Sequence, residues 1–461
     1  MLPLPGQRAS LVWYDSNEAT KAREQLSDNA LQHAIETTFP QRLGKLTRIV
    51  ARASFPIKRQ HAKRYIGKRL ALIGDAAHVV HPLAGQGLNI GLHDADTLAE
   101  LYRAAGYATL AYSSVLFTGQ FSNLHQGFEE LHESGSADST PSSKTAREYV
   151  DRLSEWLGTH RDVPFFVFLH VFDPHDPFEP REPYATMWAD PAHKAEHEEQ
   201  LEALRAHIEN PILRQFGMPD RGAFEAAEID AETYVSYDQD WYDGSIRGMD
   251  TEIGRLLERI DELGLRNRVV VAVVGDHGEE FLEHGNSWHG QSVYGELTQV
   301  PLILWAPGRV PPGRQIGDTV RTIDLMPTLL ALSGLQAPDN LQGQSLLPLL
   351  GENDAEDRSG WIVRPAVSEE HVRTGAGVED QHAAYALVID GWRLIHNVTR
   401  NEDEPEYELY DHKRDPLNLN DVRRDHPEVV ERLTRELARW RQRSEAAMLP
   451  TDDELEDVLS A

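Results

Sequence analysis

The chain of 461 residues contains no cysteine, which excludes disulfides, thiolate metal sites and a cysteine nucleophile. It also lacks long apolar runs, and none approaches the ~18 residues of a membrane span. The opening MLPLPGQRASLVWYDS shows no basic segment followed by an apolar core, so the sequence predicts a soluble, cytoplasmic protein with no membrane span. Positive charge is scarce as well. A formal charge of -30 argues against nucleic acid or an anionic membrane as partner, because both need a positive face. The deficit is uneven: residues 1–100 carry 13 Lys and Arg against 9 Asp and Glu, whereas residues 101–461 carry 32 against 66. Such asymmetry points to two segments of different origin. At this length more than one domain is expected.

What is present is concentrated in residues 269–305, VVVAVVGDHGEEFLEHGNSWHGQSVYGELTQVPLILW. An apolar, β-branched run reads as a buried strand and ends at Asp276-His277-Gly278. Ligands of open α/β sheets sit beyond the carboxyl ends of strands, so a carboxylate and an imidazole emerging there are placed to hold a metal. His284 and His289 follow in one loop, and residues 301–305 return the chain to the sheet.

A second apolar run, PFFVFLHVF over 164–172, leads into Asp173-Pro174-His175-Asp176-Pro177. The two prolines fix the backbone and aim the His175 ring, while His170 on the strand reads as buried and structural. Residues 145–157 read as a helix and 189–226 as a charged, solvated helical insertion. Residues 238–263 read as a long amphipathic helix with Ile246, Met249, Ile253, Leu257 and Ile260 on its inner face. Asp324 is placed to cap a helix over 323–334. Asp390-Gly391 between two strand-like runs signals a hairpin. Residues 427–443 form a further amphipathic pattern.

Residues 69–101 read RLALIGDAAHVVHPLAGQGLNIGLHDADTLAEL: a short strand, then a Gly-rich turn opening a helix, a ready anion site. The run resembles the second flavin-binding motif of the FAD-dependent aromatic hydroxylases of ubiquinone biosynthesis. That resemblance implies that Asp75 contacts the ribityl chain of FAD and that Gly85, Gly87 and Asn89 lie along the pyrophosphate and flavin ring. No G-x-G-x-x-G turn for the ADP moiety occurs in residues 1–68, so the implied FAD site is incomplete.

From about residue 104 the text changes. The DHG at a strand end, the HG before Tyr294, VPLI at 300–303 and the PHxP setting of His175 together resemble sulfatases and the related phosphonate and phosphodiester hydrolases of the alkaline-phosphatase superfamily. The resemblance implies Asp276 and His277 as metal ligands, with Ca²⁺ favoured and Mg²⁺ or Mn²⁺ as alternatives. It implies His175 and His289 as catalytic contacts to a small-molecule sulfate or phosphate ester. It implies an α/β fold as well: a mixed sheet flanked by helices, with a small C-terminal antiparallel subdomain, preceded by a partial flavin-monooxygenase segment. The boundaries expected are 1–103, 104–350 and 351–461. The family also uses an N-terminal Asp pair and a Cys or Ser in C/S-x-P-x-R form, and no segment before residue 150 supplies them. Ser139-Thr140-Pro141-Ser142-Ser143 fails because Ser143 stands where the Arg is required. The expectation is therefore a sulfatase-like hydrolase of sulfate esters, impaired as written. A flavin hydroxylase of ubiquinone biosynthesis and a noncatalytic chimera of the two are the alternatives.

Overall fold

The computed structural model describes residues 97–114, 125–133, 144–339, 341–351, 358–372, 382–398 and 404–448, with short stretches and single positions before residue 97. The chain divides into two compact units between Leu83 and Ala84, ahead of the boundary at 103 expected from the sequence.

Within the first unit the described strands are β1 (Leu2–Leu4) paired antiparallel with β2 (Arg8–Ser10), and β3 (Ile66–Gly67) paired with β4 (Leu70–Ala71). Asp75, Gly85, Gly87 and Asn89, implied to bind FAD, lie outside the described residues.

The second unit begins, among described residues, with a helix over 97–104. Leu98 and Tyr102 bury against Met326 and Leu330 of the helix Leu325–Leu332, so the helix belongs to this unit by packing. It feeds β5 (Ala108–Ser113), which is buried along nearly its whole length, as a central parallel strand must be. β5 lies between β6 (Glu130–Glu133) and β7 (Phe165–Leu169), parallel to both. Helix Ala146–His160 covers it: Tyr149, Val150, Leu153 and Leu157 pack on Leu110, Tyr112 and on Leu256 and Ile260 of the long helix Ala231–Glu262. β8 (Val271–Val274) pairs antiparallel with β11 (Leu302–Trp305), and between them β9 (Glu280–Phe281) and β10 (Ser287–Trp288) form a small ribbon.

The inner face of the long helix differs from the aliphatic stripe expected. Tyr234, Val235, Trp241, Gly244, Ser245, Glu252, Leu256 and Ile260 are buried, while Ile246 is exposed. Gly244 turns inward because Tyr184 crosses there: a Cβ would meet the Tyr184 carbonyl oxygen at 2.6 Å. Glu252 is buried because the Arg147 and Arg255 guanidiniums neutralise it. The insertion is likewise more than a solvated run. Leu204, Ile208, Ala223 and Phe224 close a core with Tyr234, Val235 and Leu282.

The C-terminal part is a four-stranded antiparallel meander, β12 (Ala366–Val372), β13 (His382–Ile389), β14 (Trp392–Asn397) and β15 (Tyr407–Asp411). Asp390 and Gly391 adopt φ of 55° and 80°, the left-handed pair that a two-residue hairpin requires. Leu387, Leu394 and Leu409 pack on Leu433 and Leu437 of helix Pro427–Met448. Among the described residues no helix is long and apolar enough to cross a membrane.

Candidate functional site

Strands β7 and β8 end in the two loops that carry the chemistry. β7 runs into Asp173 to Pro177, and Asp173 closes the start of helix Ala146–His160 by accepting the backbone N–H groups of Thr145 and Ala146 at 3.1 and 3.0 Å. Lys144 locks the same loop from beneath, its buried Nζ donating to the carbonyls of Asp173 at 2.9 Å and of His175. Burial pushes its amine down to about 8, although Asp173 and Asp176 pull upward. Nothing in the sequence marked Lys144, since it sits at the end of a small polar run.

β8 ends at Val274, and beyond Gly275 the chain turns so that Gly278 passes close enough to the following helix turn for a Cβ to lie 1.9 Å from the Glu296 carbonyl oxygen. His277 emerges between them. The β9–β10 ribbon brings His289 back beside it, with Trp288 in the left-handed region at φ 70°, a conformation costing roughly 1–3 kcal/mol and concentrated at functional sites.

Three imidazoles meet here. Ring centroids are 4.1 Å apart for His277 and His289, 4.8 Å for His175 and His289, and 6.1 Å for His175 and His277. All three are half-buried, and a ring nitrogen or ligand atom of each lies within 4.8 Å of those of the others. In every ring Nδ1 faces oxygen: the Gly278 carbonyl at 2.9 Å for His277, the Asp176 carbonyl at 2.8 Å and carboxylate at 2.9 Å for His175, and the Glu279 carboxylate at 3.0 Å for His289. Asp276 stands at the edge, 58% exposed, its Oδ1 accepting from the His277 N–H at 3.1 Å and its Oδ2 3.9 Å from His277 Nε2. For Asp176, burial raises the carboxyl, but bonding to His175 and the charges of His175, His289 and Lys144 outweigh it and hold it low. His170 is half-buried rather than fully buried, and desolvation pushes it down to about 4 against the pull of Asp276.

His284 is not in this cluster. Its Nδ1 is 2.6 Å from Glu296 Oε1 and its Nε2 3.0 Å from the Asn418 carbonyl, with its ring stacked 3.5 Å from Tyr294. Burial lowers its pKa, but the bonds to Glu296 and Asn418 overcome this and raise it. Beside it Glu280, 1% exposed, accepts the N–H groups of His284 and Asn286. Buried Asp324 caps its helix turn, binding the Arg321 N–H and guanidinium and the Gln344 N–H rather than approaching the histidines.

The sheet and the C-terminal meander agree with comparisons to known proteins. The chain belongs to the sulfatase family: the Sulfatase family model matches residues 77–335. The model for the C-terminal part of N-sulphoglucosamine sulphohydrolase matches residues 283–443. The FAD binding domain model matches residues 1–110, overlapping the sulfatase match. Arylsulfatase K of Xenopus laevis is 32% identical over 188 residues, 40% of this chain and 33% of the relative. The 3-demethoxyubiquinol 3-hydroxylase of Escherichia coli strain K12 is 46% identical over 114 residues, 24% of this chain and 29% of the relative. The crystal structure of phosphonate monoester hydrolase of Agrobacterium radiobacter superposes with a TM-score of 0.56 at 21% identity, over 75% of this chain and 80% of that one. The chain thus spans about a third of the length of the curated relatives it matches.

Sulfatases generally bind a divalent metal, and the donors present bear on that. Ca²⁺ takes six to eight oxygens, and Mg²⁺ a near-ideal octahedron of them. Here Asp176 and Glu279 are engaged by His175 and His289, which leaves the imidazoles and the exposed Asp276 carboxylate, a mixed nitrogen and oxygen donor set that fits a divalent ion.

Proposed function

We propose that the chain acts on sulfate esters through the cluster of His175, His277 and His289, with phosphate esters as the neighbouring substrate class, and that its turnover is impaired. The meeting of these three side chains at the ends of β7 and β8 carries the reading. Hydrolysis breaks the bond between sulfur and the alcohol oxygen: water adds at sulfur, negative charge grows on the peripheral and leaving oxygens, and the alcohol departs with a proton. His175, anchored through Nδ1 by Asp176, presents Nε2 to hold that proton for the leaving oxygen. His289, anchored by Glu279, faces the peripheral oxygens. A divalent ion at His277 and Asp276, for which Mn²⁺ is the hard-to-borderline choice, would supply further charge stabilisation.

Impairment rests on the nucleophile. No C/S-x-P-x-R segment occurs before residue 150, and losing a covalent nucleophile costs on the order of 10⁶-fold in the subtilisin case. Purified full chain supplied with divalent metal should hydrolyse an aryl sulfate far below the usual ~1–10³ s⁻¹. Turnover in that range, abolished by Asp276→Ala, would overturn the impairment.

A second reading has its own support in the 1–110 match: a flavin hydroxylase, with FAD near Asp75, Gly85, Gly87 and Asn89. It demands a yellow protein. Material that stays colourless after incubation with FAD and desalting removes it.

A further inference from the structure

We infer that the outer edges of β7 and β8 are the two sides of a docking slot for one extended strand of a second polypeptide, apolar on both faces and parallel to both edges. The inference is independent of the reaction proposed above.

Backbone hydrogen bonding defines the slot. Successive N–H groups along a strand point to opposite edges. On β7 the His170 N–H donates to the Tyr112 carbonyl at 2.9 Å, and the Pro164 carbonyl accepts from Ala108 at 2.9 Å. Phe166 and Phe168, in step with these two, therefore address β5, while Phe165, Val167 and Leu169 point the other way. On β8 the Gly275 N–H donates to the Pro301 carbonyl at 3.1 Å. That turns Val271 and Val273 toward β11 and leaves Ala272 and Val274 on the opposite edge. Among the described residues no strand pairs with either outer edge: β7 is bonded to β5 alone and β8 to β11 alone.

The two edges lie in one layer. Phe165, Val167 and Leu169 of β7 and Val271 of β8 pack on the same cluster of Leu153, Leu157, Leu256 and Ile260 from the two covering helices. The carboxyl ends of both strands lead to His175 and His277, whose rings are 6.1 Å apart, so the strands point the same way. Bonded neighbours in a sheet are spaced ~4.8 Å apart, and two strands of one layer that exchange no bond leave a strand's width, ~10 Å from axis to axis, between them. Composition agrees. FFVFL and VAVV are runs of the kind buried on both faces of a parallel sheet, yet no residue of either is fully buried and Val274 is 41% exposed, whereas β5 is buried at all but its first position. Open N–H and C=O groups beside apolar side chains are what an added strand satisfies. Edges on both sides admit an isolated extended segment and shut out the folded body of a second copy. Residues 101–461, with 32 Lys and Arg against 66 Asp and Glu, favour a segment with basic flanks.

The probe is a synthetic peptide, KKVIVIVKK, added to the full chain, with hydrogen exchange followed by mass spectrometry. Exchange over 165–169 and over 271–274 should slow together, about tenfold or more, saturating at one peptide per chain, while 384–397 in the meander stays unchanged. The same peptide with proline at its central valine cannot pair there and should bind at least about tenfold more weakly. Val167→Pro removes an outward N–H and no bond to β5, so it should weaken the parent peptide by a similar factor while β5 keeps its own protection. Slowing in one strand only, equal binding of the two peptides, or full binding to Val167→Pro overturns the inference. If that variant loses its helical circular dichroism, the proline peptide decides alone. Two further outcomes name another occupant and are equally fatal. Without peptide, both segments exchanging as slowly as Ala108–Ser113 would show a strand of the same chain already in place, and slowing that grows with chain concentration would show a second copy.

Discussion

Gly278→Ala should destabilise the second unit by about 3 kcal/mol or more, at the upper end of what overpacking costs, and should weaken metal binding at His277 with it. The added Cβ would sit 1.9 Å from the Glu296 carbonyl oxygen and 3.0 Å from its carbon, both backbone atoms that no rotamer change can remove. Relief requires parting the DHG turn from the helix turn Gly295–Thr298, which breaks the 2.9 Å bond from the Gly278 N–H to the Leu297 carbonyl. The same movement displaces the Gly278 carbonyl that fixes the His277 tautomer. Gly254→Ala in the long helix is the matched control. A Cβ there meets nothing within 4 Å, and the helix gains up to about 1 kcal/mol from alanine. Urea midpoints of the two variants should move in opposite directions. Equal midpoints would show that the turn yields where the geometry says it cannot.

Glu280→Gln should remove a pH dependence rather than a contact. Burial, reinforced by the nearby Glu296, pushes the Glu280 carboxyl up to about 7 against the bonds from Asn286 and His284, from an unfolded value of 4.5. A raised acid favours the folded state while protonated. Its contribution is fully present below pH 4.5 and is lost as pH rises through 7, because the folded chain then gives up a proton that the unfolded chain has already released. The span corresponds to about 3 kcal/mol. Glutamine keeps an acceptor for the His284 and Asn286 N–H groups and never ionises. The variant should therefore gain on the wild type between pH 4.5 and 7 in thermal midpoint, and a constant gap across that range would refute the assignment.

Much of this was legible in the residues themselves. β7 and β8 were readable as short apolar runs, and their polar ends, Asp173 to Pro177 and Asp276 to Gly278, fall where an α/β sheet places a site. The Asp390-Gly391 turn was legible because only a left-handed pair suits that hairpin. The meeting of His175 with His277 and His289 was not, because periodicity reports on local structure and the contact joins loops about a hundred residues apart. The inner face of helix Ala231–Glu262 was misread for another reason. Its buried positions include Gly244, Ser245 and Glu252, admitted by a crossing backbone and by two arginines, Arg147 from a neighbouring helix and Arg255 one turn along, so counting aliphatic residues turned the helix too far toward Ile246. The insertion hid its core because Leu204, Ile208 and Phe224 are diluted among charges. Lys144 had no pattern to betray it, since its partners are backbone carbonyls.

The C-terminal meander holds the His289 loop by several bonds at once. Arg393, 2% exposed, donates to the Val293 carbonyl and the Thr298 hydroxyl. Asn418 accepts the Gly295 N–H on its side chain and His284 on its carbonyl. Tyr294 reaches Glu408, which Asn397 also grips. The meander is therefore no detachable cassette. Grafting another relative's C-terminal piece onto this chain at residue 351 would remove Arg393 and Asn418 and leave the Val293 carbonyl, the Thr298 hydroxyl and the Gly295 N–H without the partners fitted to them. The smallest exchangeable part runs from the turn at Asp276 to beyond Asn418, cutting across the loop that a boundary drawn by strand count would spare.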